Sequence, residues 1–439
     1  MPSIAMPSPL LLFALAAYQA AQSAPPSQAE VAIVNVRVEV GDGTVLPKTN
    51  VYIKDGRIVA IREEEAWPAG VLTVDGAGKT LYPGFIDAFT SKGVKTPPDF
   101  TGEGRPNAVV TAPASFWVAN RKGITPEWKA AENLLVERDE QAYQAGITTA
   151  HVCAAKGTLR GTGAVLDLLP ATVASRVLSP QSSIGLSFRS GTGPGYPSNL
   201  LGVIALKRQT LADAQSLKEG TPFGDPENPP AWKRSLDALQ PLLNKQVKGW
   251  YEVALEREVF RALQIAEEFG FDLVIVGGRE AHLQAPALKA KSAVVVYSPD
   301  LGNPPSVDAP RAGAPVADAP PQEYRQERLD LWKQRAAGPL ALHQAGLLKA
   351  FTSEGMSYAE FLPGIRNVIA QGLPREAALR ALTLGAAELL GLDKDLGTIA
   401  VGKRANLVLM SAPFDAKDAK VERVWIDGRP IFTPKEAAK

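Results

Sequence analysis

Between Val31 and Leu72 the chain alternates apolar and polar positions at a period of two, the pattern of half-buried strands. VAIVNVRVEV (Val31–Val40) is a Val- and Ile-rich run, and VYIKDGRIVAI (Val51–Ile61) reads as a hairpin turning at Asp55-Gly56. The far end repeats this arrangement. NLVLM (Asn406–Met410) is one strand, and VERVWIDGRPIF (Val421–Phe432) is a strand, an Asp427-Gly428 turn and a strand. Both ends are therefore expected to build one small composite β-sandwich domain from residues 30–82 and 395–436, with residues 83–394 inserted into it.

The inserted middle has a different rhythm. YPGFIDAF, AGITTAHVC, FDLVIVGG, SAVVVYSP and LLKAFTSEG are short continuous apolar runs, as expected of buried parallel strands. Between them lie amphipathic stretches such as WKAAENLLVERDEQAYQA, EREVFRALQIAEEFG and REAALRALTLGAAELLG. Repeated βα units of this length predict an α/β architecture, a (β/α)8 TIM-type barrel. Function in a barrel sits on the loops after the strands, here Phe89–Ser91, His151–Lys156, Trp250–Glu252, Gly277–Glu280, Tyr297–Asp300 and Thr352–Gly355. The Pro- and Ala-rich stretch Asn303–Gln322 is expected to run irregularly over the barrel mouth.

Composition narrows the function classes. The 439 residues are 45% apolar and 21% charged, which excludes a disordered chain and a multi-span membrane protein. With 47 basic and 46 acidic residues, there is no basic field to favour nucleic acid as a partner. Cys153 is the sole cysteine, so no intrachain disulfide and no Cys-rich zinc site can form. The three histidines, His151, His282 and His343, are too far apart in sequence for an H-x-H or H-x-x-x-H pair. At the N-terminus, the apolar run Leu10–Ala21 followed by Ala21-Gln22-Ser23 reads as a secretory signal peptide over residues 1–23, although no Lys or Arg precedes it. The mature protein is then expected in the periplasm or outside the cell, with no membrane attachment after cleavage.

GRIVAI, YPGFIDAFTSKG, AGITTAHV, LTLGAAELLGL, LGTIAVGKRANLVLM and VERVWIDGRPIF together resemble the amidohydrolase superfamily, and within it the imidazolonepropionase-like branch of exported proteins. The resemblance implies a barrel with a composite β domain. It also implies metal chemistry: one or two divalent ions at the strand ends, held by an H-x-H pair, further histidines and an Asp, which polarise a carbonyl and activate water. In this sequence the residues at those positions differ. Phe89 and Ser91 stand where the H-x-H pair falls, Trp250 on the fifth strand, Gly277 on the sixth, and Glu354 in place of the Asp. Asn406 stands where the family usually has Asp. Carboxylates alone replace imidazoles poorly as zinc ligands, so no family-type metal centre and no cofactor are expected.

His151, Glu252 and Glu354 remain as catalytic candidates, each with a structural alternative: a strand-end hydrogen bond for His151, an ion pair with Lys349 or Lys92 for Glu354. His282 and His343 are expected to be packing or surface residues. Ser91 or Ser353 as a nucleophile lacks a G-x-S-x-G elbow. The glycine-rich runs Arg160–Gly163 and Ser190–Gly195 are expected to be loops. Phe89, Trp250, Tyr297 and Phe351 would line an aromatic pocket, open or collapsed. Two functions stand side by side. One is a degenerate, metal-free binding or interaction protein, its partner a small molecule or an active homologous subunit in a homo- or hetero-oligomer. The other is a hydrolase of C–N bonds in cyclic amides or peptide-like substrates, with an atypical site.

Overall fold

The computed structural model describes residues 30–63, 67–97, 122–135, 139–169, 176–191, 196–220, 233–307 and 320–434. The expected leader 1–23 and most of the Pro- and Ala-rich stretch lie outside the described residues. Strands β1 (Val31–Glu39), β2 (Val45–Lys54), β3 (Arg57–Arg62), β4 (Leu72–Asp75) and β5 (Thr80–Pro83) lead in. Next come β6 (Phe85–Thr90), β7 (Ile147–Val152), β8 (Leu159–Asp167), β9 (Val177–Ser187), β10 (Lys248–Val253), β11 (Leu273–Gly277), β12 (Val294–Tyr297) and β13 (Leu348–Phe351). The chain closes with β14 (Leu407–Met410), β15 (Val421–Ile426) and β16 (Arg429–Phe432).

Strands from both ends form one hydrogen-bonded sheet in the order β16-β15-β14-β5-β1-β2-β3, with β4 pairing alongside β1. Inward-facing residues such as Val36, Val51, Leu81, Leu409 and Trp425 share a single core. The period-two pattern at the two termini thus becomes a sheet that covers its own apolar face.

The second sheet takes β6 to β13 in strict chain order. Its ends are drawn together by side chains: Ser353 N–H donates to Asp87 Oδ1 at 3.0 Å, and Thr352 Oγ1 donates to the Phe89 carbonyl. One strand departs from the simple βα expectation. β8 is antiparallel to both β7 and β9, while the other pairs are parallel. Only residues 153–158 separate β7 from β8, too few for a parallel crossover, so the chain must double back. The glycine-rich run expected as a loop is therefore strand. Gly161 has φ +120°, and a Cβ there would lie 2.4 Å from the Trp128 carbonyl oxygen, so a close backbone approach requires glycine.

Helices cover the outer face from β9 onward. Glu256–Phe269 buries Val259, Ala262, Leu263, Ile265 and Ala266, and ends at Gly270 in the left-handed conformation. Tyr358–Ala370 starts where the Glu360 carboxylate accepts from the Ser357 N–H at 3.0 Å and from its hydroxyl at 2.7 Å. The long helix expected over WKAAENLLVERDEQAYQA is absent among the described residues. There the chain makes a 3-10 turn, Ala130–Glu132, and a short helix, Glu140–Gln144. Local side chains compete with helix continuation: Asn133 Nδ2 donates to the Lys129 carbonyl, and Asp139 caps Gln141 and Ala142.

The two sheets meet at Asn406. Its Nδ2 donates to Asp167 Oδ1 at 2.8 Å, and its Oδ1 accepts from the Asp427 N–H at 2.8 Å. Arg404 lies 2.6 Å from the other oxygen of the buried Asp167.

Candidate functional site at the strand ends

Alternation along β10 turns Trp250 and Glu252 to the inside of the curled sheet and Tyr251 to the helices. Glu252 and Glu354 meet there, joined by a residue with no assigned role in the sequence reading. Arg160, near the start of β8, donates from one terminal nitrogen to Glu252 and from the other to Glu354 Oε1 at 3.0 Å. Its Nε donates to the Ala154 carbonyl at 2.6 Å, and its guanidinium lies 5.2 Å above the Phe89 ring. The Arg160 side chain is 1% exposed, and the two carboxylates are 13% and 12% exposed. Burial disfavours the Arg160 charge, but Cys153 and the two carboxylates outweigh it and hold the pKa above its ordinary value. Burial raises the Glu252 pKa; Arg160 opposes that rise and Glu354 adds to it. Arg189 completes the group from the solvent side, 2.8 Å from Glu252 Oε1. Glu354 thus pairs with Arg160, not with Lys349 or Lys92, and its other oxygen accepts from the Ser91 N–H at 2.7 Å.

His151 is expected near the mouth; instead it is sealed inside. Its Nδ1 lies 3.0 Å from the Ala88 carbonyl, and its Nε2 lies 2.9 Å from Ser183 Oγ. A carbonyl only accepts, so Nδ1 carries the proton and Nε2 accepts from the serine. Burial pulls the His151 pKa down to about 4. Gly163 makes the Ser183 contact geometrically feasible, because a Cβ there would sit 2.2 Å from Ser183 Oγ and 2.7 Å from His151 Nε2. Ser183 and His151 have the spacing of a nucleophile and base, but both are fully buried and no carboxylate orients the ring. Phe89 stacks on Trp250 at 5.9 Å between centroids, and His151 packs edge-on to Trp250 at 4.3 Å.

At the junction of the first and eighth strands, Ser353 Oγ donates to the buried Asp87, and Lys92 Nζ donates to the Ser353 carbonyl at 2.8 Å. Burial raises the Asp87 pKa to about 6 against the bonds it accepts from Ser353. Ser353 is fully buried, and Ser91 meets Glu354 through its backbone N–H, not its hydroxyl. His282 packs against Gly338, and His343 lies on the helix Gly338–Gln344.

Tyr297 and Phe351 correct the expected pocket. Both are fully buried, but they belong to the outer core under the helices, whereas Phe89 and Trp250 belong to the inner one. Tyr297 and Phe351 lie directly opposite each other on β12 and β13, so they face the same way. The open space lies higher, in a cleft of about 340 Å³ bounded by Arg189, Glu252, Glu258, Arg279, Asp300 and Glu354.

The metal of the related chemistry does not fit this donor set. Phe89 and Trp250 offer no lone pair, Ser91 offers a neutral hydroxyl, and both carboxylates are engaged by Arg160. Gly277 has φ +87°, and a Cβ there would lie 2.9 Å from the Val253 carbonyl oxygen, which bars a histidine without backbone movement. No group of three His, Cys, Asp or Glu able to hold a metal occurs among the described residues.

Residues 301–431 match the amidohydrolase family. Stretches of this chain are 38% identical over 82 residues to an imidazolonepropionase from Shouchella clausii (strain KSM-K16) and 40% identical over 65 residues to adenine deaminase 3 from Rhizobium meliloti (strain 1021). The family match thus lies in the C-terminal third of the chain. The two matched stretches span only 18% and 10% of those relatives. In fold, this chain is similar to an amidohydrolase from Thermotoga maritima MSB8, with a TM-score of 0.70 and 23% identity over 92% of this chain and 100% of that one. It is also similar to a putative prolidase from Bifidobacterium longum, at TM-score 0.51 and 19% identity over 94% and 97% of the two chains.

Proposed function

We propose that this chain is a metal-free, catalytically degenerate member of the superfamily that binds a ligand at the strand ends. Arg160 carries the reading. It is a covalently fixed cation between two carboxylates, at strand ends where the resemblance to the amidohydrolase superfamily implies metal ions. A guanidinium neutralises Glu252 and Glu354, but it offers no exchangeable coordination position and does not generate hydroxide from water. The neutral, sealed His151 offers no route for a proton to the cleft. What remains open is a cleft of about 340 Å³ with charged groups of both signs, of a size suited to a small molecule. The rest of the proposal is that the ligand is a small molecule or an active homologous subunit, and that the protein works in the periplasm or outside the cell.

One observation favours the hydrolase reading: Glu252, its pKa raised, lines the cleft and has the character of a general acid. The two readings separate in one assay. Purified protein, with and without added zinc, is incubated with dipeptides, a cyclic amide and adenine, and product is followed by chromatography. The binding reading expects no turnover above buffer. Turnover abolished by Glu252→Gln would establish the hydrolase.

A further inference from the structure

A second cavity lies away from the strand-end site. It occupies about 290 Å³ against the face of β7 and β8 opposite His151, where Ala150, Val152 and Leu166 supply the wall. Two cations border it. Arg176 is 5% exposed, yet its only hydrogen bond among the described residues is a long one, from a terminal nitrogen to the Leu135 carbonyl at 3.3 Å. Its Nε has no partner, and no carboxylate forms an ion pair with it among the described residues. Lys92 stands at the other side, held by Ser353 and placed 4.8 Å over the Tyr358 ring. The one carboxylate of the lining, Asp139, spends Oδ1 on the N–H groups of Gln141 and Ala142.

A buried guanidinium without a counter-ion is costly, and proteins retain one where an anion completes it. Arginine's paired N–H groups match a carboxylate bidentately, and an aliphatic or aromatic wall suits the body that carries it. We infer that this cavity is a binding site for a small monocarboxylate with an apolar body, its carboxylate on Arg176 with Lys92 behind, and its body against Val152 and Leu166. The site is independent of the strand-end cleft, because the wall residues alternate with His151 along β7 and face the other way.

The test titrates the full-length protein with acetate, hexanoate and phenylacetate in a calorimeter, beside the neutral hexanamide. Hexanoate or phenylacetate is expected to bind at least about tenfold more tightly than hexanamide, as a charge-assisted pair requires. Arg176→Met, which keeps the volume and removes the charge, is expected to lose about tenfold or more in carboxylate affinity. Leu135→Asp changes a residue that is 40% exposed and supplies the missing counter-ion from within, so it should cost a similar factor and leave folding intact. No binding of any of the three acids to the wild-type protein overturns the inference. So does carboxylate binding left unchanged by Leu135→Asp, even if Arg176→Met fails to fold.

Discussion

Replacing Arg160 with Met tests the strand-end site most sharply, because Met preserves volume and removes only the cation. At the 3.0 Å of the Arg160–Glu354 pair, Coulomb's law with an effective dielectric of about 20 gives about 5.5 kcal/mol before desolvation. Breaking such a pair leaves two carboxylates, 13% and 12% exposed, facing each other with only the exposed Arg189, on Glu252, as a counter-charge. Removing one partner of a buried pair costs about 3–5 kcal/mol. Some solvent reaches both carboxylates, so about 3 kcal/mol is expected at pH 8. The loss should depend on pH with a definite sign. Glu252 already has a raised pKa, and without Arg160 the chief opposing influence is gone, so the pKa rises further. A carboxyl raised in the folded state lends relative stability below its unfolded pKa of about 4.3 and loses it as pH rises through the folded value. The penalty of Arg160→Met should therefore shrink from pH 8 to pH 5. The triple variant Arg160→Met, Glu252→Gln, Glu354→Gln should return to within about 1 kcal/mol of wild type. Urea denaturation followed by circular dichroism reads all three. A penalty below about 0.5 kcal/mol, or one equal at both pH values, would refute the charge argument.

His151 should stay neutral from pH 8 to pH 5, and its ring protons in NMR should show no titration until near pH 4. Because its folded pKa is depressed, it lends stability above the unfolded value of about 6.5 that is lost as pH falls toward 4, and a midpoint near 6.5 in the native protein would show that the ring is not sealed. Gly277→His, which places a histidine where the resemblance implies one, should destabilise the protein by about 1–3 kcal/mol, through strain at φ +87° and the Val253 carbonyl, and a stable variant that binds zinc would contradict that geometry.

Periodicity makes much of the fold legible. The period-two runs at both ends become the terminal sheet, and the apolar runs of the middle become β6, β7, β11, β12 and β13. Glycine misleads at β8. In isolation Arg160–Gly163 looks like a loop, and only the neighbouring Trp128 carbonyl and Ser183 hydroxyl explain why small residues stand in a strand. Asn133 and Asp139 likewise break an apparently continuous helix through bonds that a hydrophobic count does not register.

At the positions where the resemblance implies metal ligands, the sequence has Phe89, Trp250 and Gly277, none of which carries a donor side chain. What fills the space is not legible there. Arg160 sits 92 residues from Glu252 and 194 from Glu354, and no local spacing links them. One signal was available: two acidic residues expected at neighbouring strand ends favour a cation between them. The pocket reading failed for Tyr297 and Phe351 because both sit one position out of phase with the inward residues of their strands, and alternation sends them to the helices.

The central claim is that Arg160 and the aromatic packing occupy the place of the metal centre. Elemental analysis of the purified protein, combined with a zinc titration of its thermal stability, tests it most directly. The account predicts substoichiometric metal and no zinc-dependent rise in the unfolding temperature. A tightly bound metal near one equivalent, lost together with stability in Glu252→Gln or Glu354→Gln, would contradict it.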